Sequence, residues 1–197
     1  MFASALSQEK KTCRRLAMAR RQAIEAVQAE AAAMAVCSVW DDLAASLPSG
    51  NCTIAMYLAA GSEMETDGLM RKLADQGCKL ALPVTQPQDD SMMFRSYRPG
   101  DKLVKGGFGM MEPDPAQAEV EPEVVVLPLL GFDGVGTRLG RGGGHYDRAL
   151  SVLRSRKTIQ AVGLAYEVQF FEALPCEPHD EKLNAVITES CVRLFDG

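Results

Sequence analysis

Residues 131–147 read Gly-Phe-Asp-Gly-Val-Gly-Thr-Arg-Leu-Gly-Arg-Gly-Gly-Gly-His-Tyr-Asp, and the rest of the chain is arranged around this stretch. It follows an apolar run at residues 124–130 that predicts a buried strand, and it precedes residues 148–154, whose apolar positions have helical spacing. Glycines in such a strand-to-helix connection let backbone N–H groups approach a ligand closely, and N–H groups at a helix start favour anions. Arg138 and Arg141 add charges suited to phosphate oxygens.

Neither of two common nucleotide-binding motifs fits this stretch. A Walker loop requires Lys-Ser or Lys-Thr after its last glycine, and no such pair follows a glycine here. A dinucleotide fingerprint has the form Gly-x-Gly-x-x-Gly, but Leu139 stands in the third place after Gly134 and Gly136. A flexible surface loop is the simplest alternative, since glycine-rich connectors are common. The two arginines and the closing Tyr146-Asp147 favour anion binding over that alternative.

The segment resembles the signature of the 5-formyltetrahydrofolate cyclo-ligase family, also called methenyltetrahydrofolate synthetases. The family pattern is close to Pro-x-x-x-Phe-Asp-x-x-Gly-x-Arg-Leu-Gly-Arg-Gly-x-Gly-Tyr-Tyr-Asp. One departure is His145, where the family usually has the first of two tyrosines; histidine also donates hydrogen bonds but titrates near neutrality. The residues that match are Pro128, Phe132, Asp133, Gly136, Arg138, Leu139, Gly140, Arg141, Gly142, Gly144, Tyr146 and Asp147.

This resemblance implies an ATP-dependent enzyme that cyclises 5-formyltetrahydrofolate to 5,10-methenyltetrahydrofolate, giving ADP and phosphate through a phosphorylated formyl intermediate. It implies ATP and Mg²⁺ as cofactors, Arg141 and Tyr146 as catalytic residues, and Asp147 and Asp180 as metal ligands. The family's Lys-x-x-Leu-Arg element, which contacts nucleotide phosphate, is kept near the N-terminus with Cys13 in place of the leucine. The implied ATP-binding residues are Lys10, Lys11, Thr12, Cys13, Arg14, Arg138, Leu139, Gly140, Arg141, Gly142, Gly143, Gly144, His145 and Tyr146.

A Glu-x-Glu-Thr element at residues 63–66 resembles the family's folate-binding segment, whose second acid contacts the substrate. Residues 106–113 resemble the family's Gly-x-x-Glu-Pro bend, and Phe108, Met110 and Met111 there could pack against a pterin ring or, equally, in an ordinary core. The implied substrate-binding residues are Ala60, Glu65, Arg141, Gly142, Gly143, Gly144 and His145.

Without the resemblance, several of these residues have simpler explanations. Lys10 and Arg14 are one helical turn apart and could form a solvated basic face. Glu63 and Glu65 could compensate charge at a helix start. Asp180 could cap a turn. Asn184 replaces a second acid that the family carries after Asp180.

Composition limits the class of protein. The chain has 197 residues, 47% hydrophobic and 24% charged, and a formal net charge of −5. We therefore expect one globular domain over residues 1–197, a small-molecule substrate (a folate, with or without a polyglutamate tail), and neither nucleic acid nor membrane as a partner. Its six cysteines include no Cys-x-x-Cys pair, which favours free thiols in a reducing cytoplasm. A monomer is expected.

The predicted fold is α/β. A helix capped by Ser7 is predicted over residues 8–30, resuming or continuing through residues 31–47 and stopping at Pro48. A strand, a helix and a strand follow at residues 53–58, 67–76 and 79–84, which is typical of a parallel sheet. Further strands are expected at residues 91–97, 159–165, 184–187 and 192–195, a short helix within residues 166–174, and an exposed connector at residues 114–123. The resemblance implies a three-layer α/β/α fold of the NagB/RpiA/CoA transferase-like type, with a mostly parallel central sheet and a long N-terminal helix.

Two other functions stay open at this stage. One is a homologue that binds nucleotide or folate without turnover, which the substitutions at His145 and Asn184 allow. The other is an ATP-dependent enzyme that acts on another acid or amide through the same phosphate site, since a fold does not determine a function.

Overall fold

The structure is a computed structural model that describes residues 2–47, 52–86 and 91–195, apart from the side chains of residues 2–4 and 108. The helices are α1 (Phe2–Gln22), α2 (Ala26–Ala44), α3 (Asp67–Asp75) and α4 (His145–Arg154), with short 3-10 turns at Gly107–Gly109 and Glu167–Gln169. The strands are β1 (Thr53–Ala55), β2 (Lys79–Gln86), β3 (Ser91–Tyr97), β4 (Leu103–Lys105), β5 (Met111–Pro113), β6 (Glu119–Val120), β7 (Val124–Pro128), β8 (Gly131–Phe132), β9 (Arg138–Leu139), β10 (Gln160–Leu164), β11 (Ala185–Ile187) and β12 (Val192–Leu194).

One eight-stranded sheet forms the centre, in the order β12-β11-β10-β7-β1-β2-β3-β6. The five strands from β11 to β2 run parallel, and β12, β3 and β6 join the edges antiparallel. The predicted mostly parallel sheet is therefore confirmed. Because the parallel strands share one direction, their carboxyl ends all open at the same edge of the sheet.

Strand β7 lies in the middle of the sheet and explains why the sequence there is apolar without alternation. Val124 and Val126 pack on one face, while Val125 and Leu127 pack on the other, and all four are fully buried. A strand covered on both faces needs an unbroken apolar run.

Helices cover both faces and produce three layers. Trp40 of α2 and Leu69 of α3 belong to the core on one face, and Leu150 of α4 belongs to the core on the other. Helix α1 lies outside these two cores, where Ala17 packs on Leu139 of the β8–β9 hairpin. The N-terminal helix is thereby held next to the glycine-rich stretch.

The predicted N-terminal helix is two helices. α1 starts at Phe2, so Ser7 lies inside it and does not cap it. The chain breaks at Glu25, which is extended and forms a capping box with Gln28 at the start of α2. No single described helix is long and apolar enough to cross a membrane; α1 and α2 would meet that test only as a pair, and they meet at 98°. The predicted stop at Pro48 lies outside the described residues.

The other predicted elements are present with shifted ends. Strand β1 ends at Ala55 instead of residue 58, and α4 starts at His145 instead of residue 148. The connector predicted at residues 114–123 contains a short edge strand, β6. The earlier start of α4 matters for the site, because Tyr146 and Asp147 then lie in the first turn of a helix.

Candidate active site

A cavity of about 450 Å³ opens at the carboxyl ends of β1, β2 and β7. The parts of the chain that surround it include α1, the loop after β1, the bend at residues 110–112, the glycine-rich stretch before α4, and the loop that precedes β11. Many of the residues singled out from the sequence line it, namely Lys10, Arg14, Ala60, Arg138, Leu139, Gly140, Arg141, Gly142, Gly143, Gly144, His145, Tyr146, Asp147 and Asp180.

Asp133 folds the glycine-rich stretch into a hairpin. Its Oδ1 accepts the backbone N–H groups of Val135 at 3.1 Å and Thr137 at 2.9 Å, and its Oδ2 accepts that of Leu174 at 3.2 Å. Gly136 is needed in this turn because its φ is +73° and a Cβ there would lie 2.8 Å from the Leu183 carbonyl oxygen. The Phe-Asp part of the signature is therefore structural: it positions the arginines that follow.

Two glycines bring the backbone close to other groups of the site. Gly142 has a φ of +105°, and a Cβ on it would lie 3.3 Å from Cζ of Arg14. Gly144 has a φ of +67° and is the residue at which α4 begins. Side chains rarely adopt such a backbone, so glycine is required at both positions. The first turn of α4 thereby points its N–H groups at the end of this loop, an arrangement that favours anions.

Arg138 and Asp147 form a nearly buried ion pair. Arg138 Nη2 donates to Asp147 Oδ1 over 2.7 Å, and the two side chains are 5% and 17% exposed. Asp147 Oδ1 also accepts the backbone N–H of Glu181 at 3.2 Å. Nε of Arg138 is buried and has no hydrogen-bond partner among the described residues. A buried donor without a partner is costly. Arg138 also lines the cavity, so its positive charge is close to a ligand bound there.

Tyr146 lies beside this pair, with the guanidinium of Arg138 5.9 Å from its ring centre. Burial, and after it the charge of Glu63, raises the pKa of the Tyr146 phenol, and the Arg138 charge opposes them only in part. The phenol therefore stays protonated at neutral pH and acts as a hydrogen-bond donor.

Lys10 of α1 is bonded to two carboxylates of the loop before β11. Its Nζ lies 2.7 Å from Glu177 Oε2 and 2.5 Å from Asp180 Oδ2. Burial acts against the ammonium charge, but the hydrogen bonds and charges of Asp180 and Glu177 outweigh it and raise the pKa of Lys10. For Asp180 burial likewise opposes the charge, yet Lys10 and the backbone N–H of Glu177 lower its pKa. Both groups are charged at neutral pH.

Arg14 and Arg141 connect the glycine loop to two other parts of the chain. Arg14 Nε donates to the Gly140 carbonyl oxygen at 2.9 Å. Arg141 reaches across the cavity to the loop after β1, where its Nη2 lies 2.8 Å from Glu63 Oε1. Arg14 and Gly140 are 126 positions apart in the sequence, and Arg141 and Glu63 are 78 positions apart. The fold brings both pairs together around one loop.

Comparison with known proteins identifies the family. The model of the 5-formyltetrahydrofolate cyclo-ligase family matches residues 6–189. The chain belongs to this family. It is 38% identical over 145 residues to the 5-formyltetrahydrofolate cyclo-ligase of Escherichia coli K12, covering 71% of this chain and 79% of that protein. It is 33% identical over 144 residues to the cyclo-ligase of Mycolicibacterium smegmatis, covering 69% and 73%.

Solved structures agree on the fold of this cyclo-ligase family member. The 5,10-methenyltetrahydrofolate synthetase of Aquifex aeolicus has a TM-score of 0.77 at 28% identity, and the match covers 95% of this chain and 94% of that one. The synthetase of Mycoplasma pneumoniae has a TM-score of 0.70 at 22% identity, and the match covers 92% and 99%. The predicted fold class is confirmed.

Some residues that the family resemblance implies do not line the cavity. Lys11 and Thr12 are exposed on α1, and Cys13 packs instead against the small core beneath the hairpin. Glu65 is exposed next to the start of α3, whereas Glu63 of the same element lines the cavity. The binding roles expected for these four residues stay predictions.

The cavity contains further polar groups that the sequence analysis did not single out. Arg21 is almost fully buried, donating from Nε to Ser62 Oγ at 3.0 Å, and burial lowers its pKa. Tyr57 donates to the Met64 carbonyl oxygen at 2.8 Å. Glu112 is buried at the opposite wall and accepts the Thr85 N–H at 3.0 Å. Arg21 and Tyr57 come from segments that read as ordinary helix and strand, so no local signal marks them. Glu112, in contrast, is the acid of the Gly-x-x-Glu-Pro bend, to which the sequence analysis gave no separate role.

The methionines of the Gly-x-x-Glu-Pro bend were expected either to pack in an ordinary core or to face a pterin ring. Their exposure decides between these two alternatives. Met110 and Met111 are 44% and 48% exposed and line the cavity, so they are not part of a core. Gly106 lies directly beside Glu112, since a Cβ there would overlap that carboxylate at 1.9 Å. The side chain of Phe108 lies outside the described residues.

Proposed function

We propose that this protein catalyses the ATP-dependent cyclisation of 5-formyltetrahydrofolate to 5,10-methenyltetrahydrofolate, with ADP and phosphate as the other products. One observation carries the proposal: Lys10 and Arg14 of the N-terminal helix meet Arg138, Arg141 and the glycine loop in one cavity. The lining of that cavity also includes the thioethers of Met92, Met110 and Met111, which suit a flat ring. Family membership agrees with this reading.

The chemistry requires activation of a formamide. Its carbonyl oxygen attacks the γ-phosphorus of ATP, the bond from that phosphorus to the β–γ bridging oxygen breaks, and ADP leaves. The second folate nitrogen then attacks the activated formyl carbon and loses its N–H proton to the departing phosphate or to solvent, and the carbon–oxygen bond breaks to release phosphate. Transfer of a phosphoryl group demands mainly alignment and stabilisation of negative charge.

The residues of the cavity match these demands. Arg14, which contacts the glycine loop, and Arg141, which belongs to it, stabilise charge on the phosphates. Arg138 lines the same cavity and adds a third positive charge. Tyr146, kept protonated by burial, donates a hydrogen bond to the formyl or phosphate oxygen. Glu112, Met110 and Met111 form the wall that takes the pterin ring.

A divalent cation fits the acidic residues of this site. Glu177, His179 and Asp180 have ligand atoms within 4.8 Å of one another, and Asp147 also lines the cavity. Carboxylates together with phosphate oxygens are the donors that Mg²⁺ prefers. We infer that Asp147 and Asp180 hold it, with Lys10 moving from Asp180 to a phosphate. When bound, Mg²⁺ neutralises charge on the phosphates.

The proposal is tested by mixing the protein with Mg-ATP and 5-formyltetrahydrofolate and following the ultraviolet absorbance of the methenyl product. Turnover that requires both substrates supports the proposal. Binding of nucleotide or folate without turnover would instead support a non-catalytic homologue. ATP hydrolysis that responds only to other acids or amides would support a different ATP-dependent enzyme.

A further inference from the structure

Glu63 joins the loop after β1 to the glycine loop. Its Oε1 accepts hydrogen bonds from Arg141 Nε at 3.2 Å and Nη2 at 2.8 Å, while its Oε2 accepts the backbone N–H of Ala60 at 3.0 Å. The Ala60 carbonyl oxygen accepts a longer hydrogen bond from Arg141 Nη2 at 3.4 Å. One ion pair and one backbone contact therefore connect the loop expected to bind folate to the loop expected to bind phosphate.

The two partners differ greatly in burial. The side chain of Glu63 is 7% exposed, while that of Arg141 is 56% exposed. A buried carboxylate must have its oxygens satisfied, and Arg141 and the Ala60 N–H satisfy both oxygens of Glu63. The exposed arginine, in contrast, gains little stability from such a pair. The pair therefore orients Arg141, because its long, exposed side chain is held by a buried carboxylate that is itself hydrogen-bonded to the backbone.

Glu63 contacts only one edge of the Arg141 guanidinium. Nε and Nη2 face the carboxylate, and no described residue is bonded to Nη1. The guanidinium is planar with its donors in fixed directions, so holding one edge determines where the other edge points. Both side chains line the cavity, so that free edge is available to a ligand there.

We propose that Glu63 is a positioning residue, which holds Arg141 so that the free edge of its guanidinium meets the phosphoryl group in transfer. This inference rests on the proposed function. Glu63 does not itself contact the phosphoryl group, since a carboxylate there would repel it, so its effect on that group passes through Arg141. An arginine that is already oriented loses less freedom in the transition state, so removal of Glu63 should lower kcat more than it raises the KM for ATP.

A double-mutant cycle separates this role from a purely structural one. Turnover and affinity for a non-hydrolysable ATP analogue are measured for wild type, Glu63→Ala, Arg141→Ala and the double variant. We expect Glu63→Ala to lower kcat about 10- to 100-fold in the wild-type background and less than about threefold in the Arg141→Ala background. Independent effects that multiply in the double variant would overturn the proposal.

Three further measurements keep the result interpretable. Glu63→Gln retains an oxygen for Arg141 and Ala60, so it should restore part of the activity lost in Glu63→Ala. Asp67→Asn removes an exposed carboxylate on the neighbouring helix, where it pairs with the exposed Arg71, and should leave kcat unchanged. If Glu63→Ala does not fold, as judged by circular dichroism, the same cycle is run with Glu63→Gln.

The analogue affinities also separate this inference from the proposed function. If wild type shows no folate turnover, the proposed function fails, but the same cycle on binding of ADP with aluminium fluoride, which mimics the phosphoryl group in transfer, still tests Glu63. Non-additive changes in the dissociation constant support the positioning role in that case, and additive changes contradict it.

Discussion

Lys10 Nζ lies 2.5 Å from Oδ2 of Asp180, which connects the first helix of the chain to a loop 170 residues further on. The charge of the buried Lys10 is balanced by the two carboxylates that it contacts. Its ammonium group also lies next to the acidic residues that could bind Mg²⁺. A bound Mg-ATP would satisfy both partners, the phosphate taking the lysine and the metal taking the carboxylate. The ion pair thus keeps both groups charged and in place without a ligand.

Arg14 should contribute to nucleotide binding, and its neighbour Arg15 provides the matched control. Arg14 lines the cavity, whereas Arg15 is exposed and does not. We expect Arg14→Ala to raise the KM for ATP about tenfold or more, because one charge-assisted contact is lost. Steady-state kinetics should show no comparable change for Arg15→Ala; equal effects of the two substitutions would mean that only the overall charge of α1 matters.

Gly142 should tolerate no side chain, although Gly134 in the same stretch should. Gly142 has a φ of +105° and its Cβ would press on Arg14, while a Cβ on Gly134 meets nothing within 4 Å. Forcing alanine into a positive-φ backbone costs about 1–3 kcal/mol, and the loop would have to rearrange. Gly142→Ala is expected to lower kcat/KM by about tenfold or more, and Gly134→Ala to change it little. A fully active Gly142→Ala enzyme would contradict the close approach of loop and arginine.

Asp147 should matter for both activity and stability. Asp147→Asn leaves Arg138 charged, 5% exposed and without its counter-charge. Breaking a buried pair in this way is strongly destabilising, so we expect a lower free energy of unfolding by about 1–3 kcal/mol in urea titrations. Turnover should fall about 100-fold or more, and the Mg²⁺ concentration for half-maximal rate should rise. Normal turnover with an unchanged Mg²⁺ requirement would remove Asp147 from the metal site.

Glu123 should make stability depend on acid pH, at a place remote from the cavity. Burial opposes its charge, but hydrogen bonds from Lys157 and the Thr53 N–H outweigh burial and lower the pKa of Glu123. A lowered pKa stabilises the folded state above the unfolded value of about 4.3, and this contribution is lost as pH falls through the folded pKa. The difference in unfolding free energy between wild type and Glu123→Gln should therefore be constant above about pH 5 and shrink below it. A difference independent of pH would contradict this.

The sequence predicts the middle of the sheet well, because β7 lies within an unbroken apolar run, residues 124–130, that ends at Gly131. Helix ends were less predictable. The break between α1 and α2 involves neither glycine nor proline, and its only signal is the Glu25–Gln28 capping box. Helix α4 starts three residues earlier than predicted, since a left-handed Gly144 can begin a helix directly.

The site was predictable where its chemistry lies within one short segment and not where it depends on distant contacts. The glycine loop and its arginines are visible as a pattern. The partners of these residues are not, because Glu177 for Lys10 and Glu63 for Arg141 lie far away in the chain. Glu65 was chosen over Glu63 by resemblance alone, and only the fold shows which of the two lines the cavity.

The most direct test of this account is a crystal structure with Mg²⁺ and a non-hydrolysable ATP analogue. The account predicts the phosphates on residues 142–144, with Arg14 and Arg141 within hydrogen-bond distance of them and Lys10 moved from Asp180 to a phosphate oxygen. A nucleotide bound elsewhere, with Lys10 and Arg14 facing away from its phosphates, would contradict it.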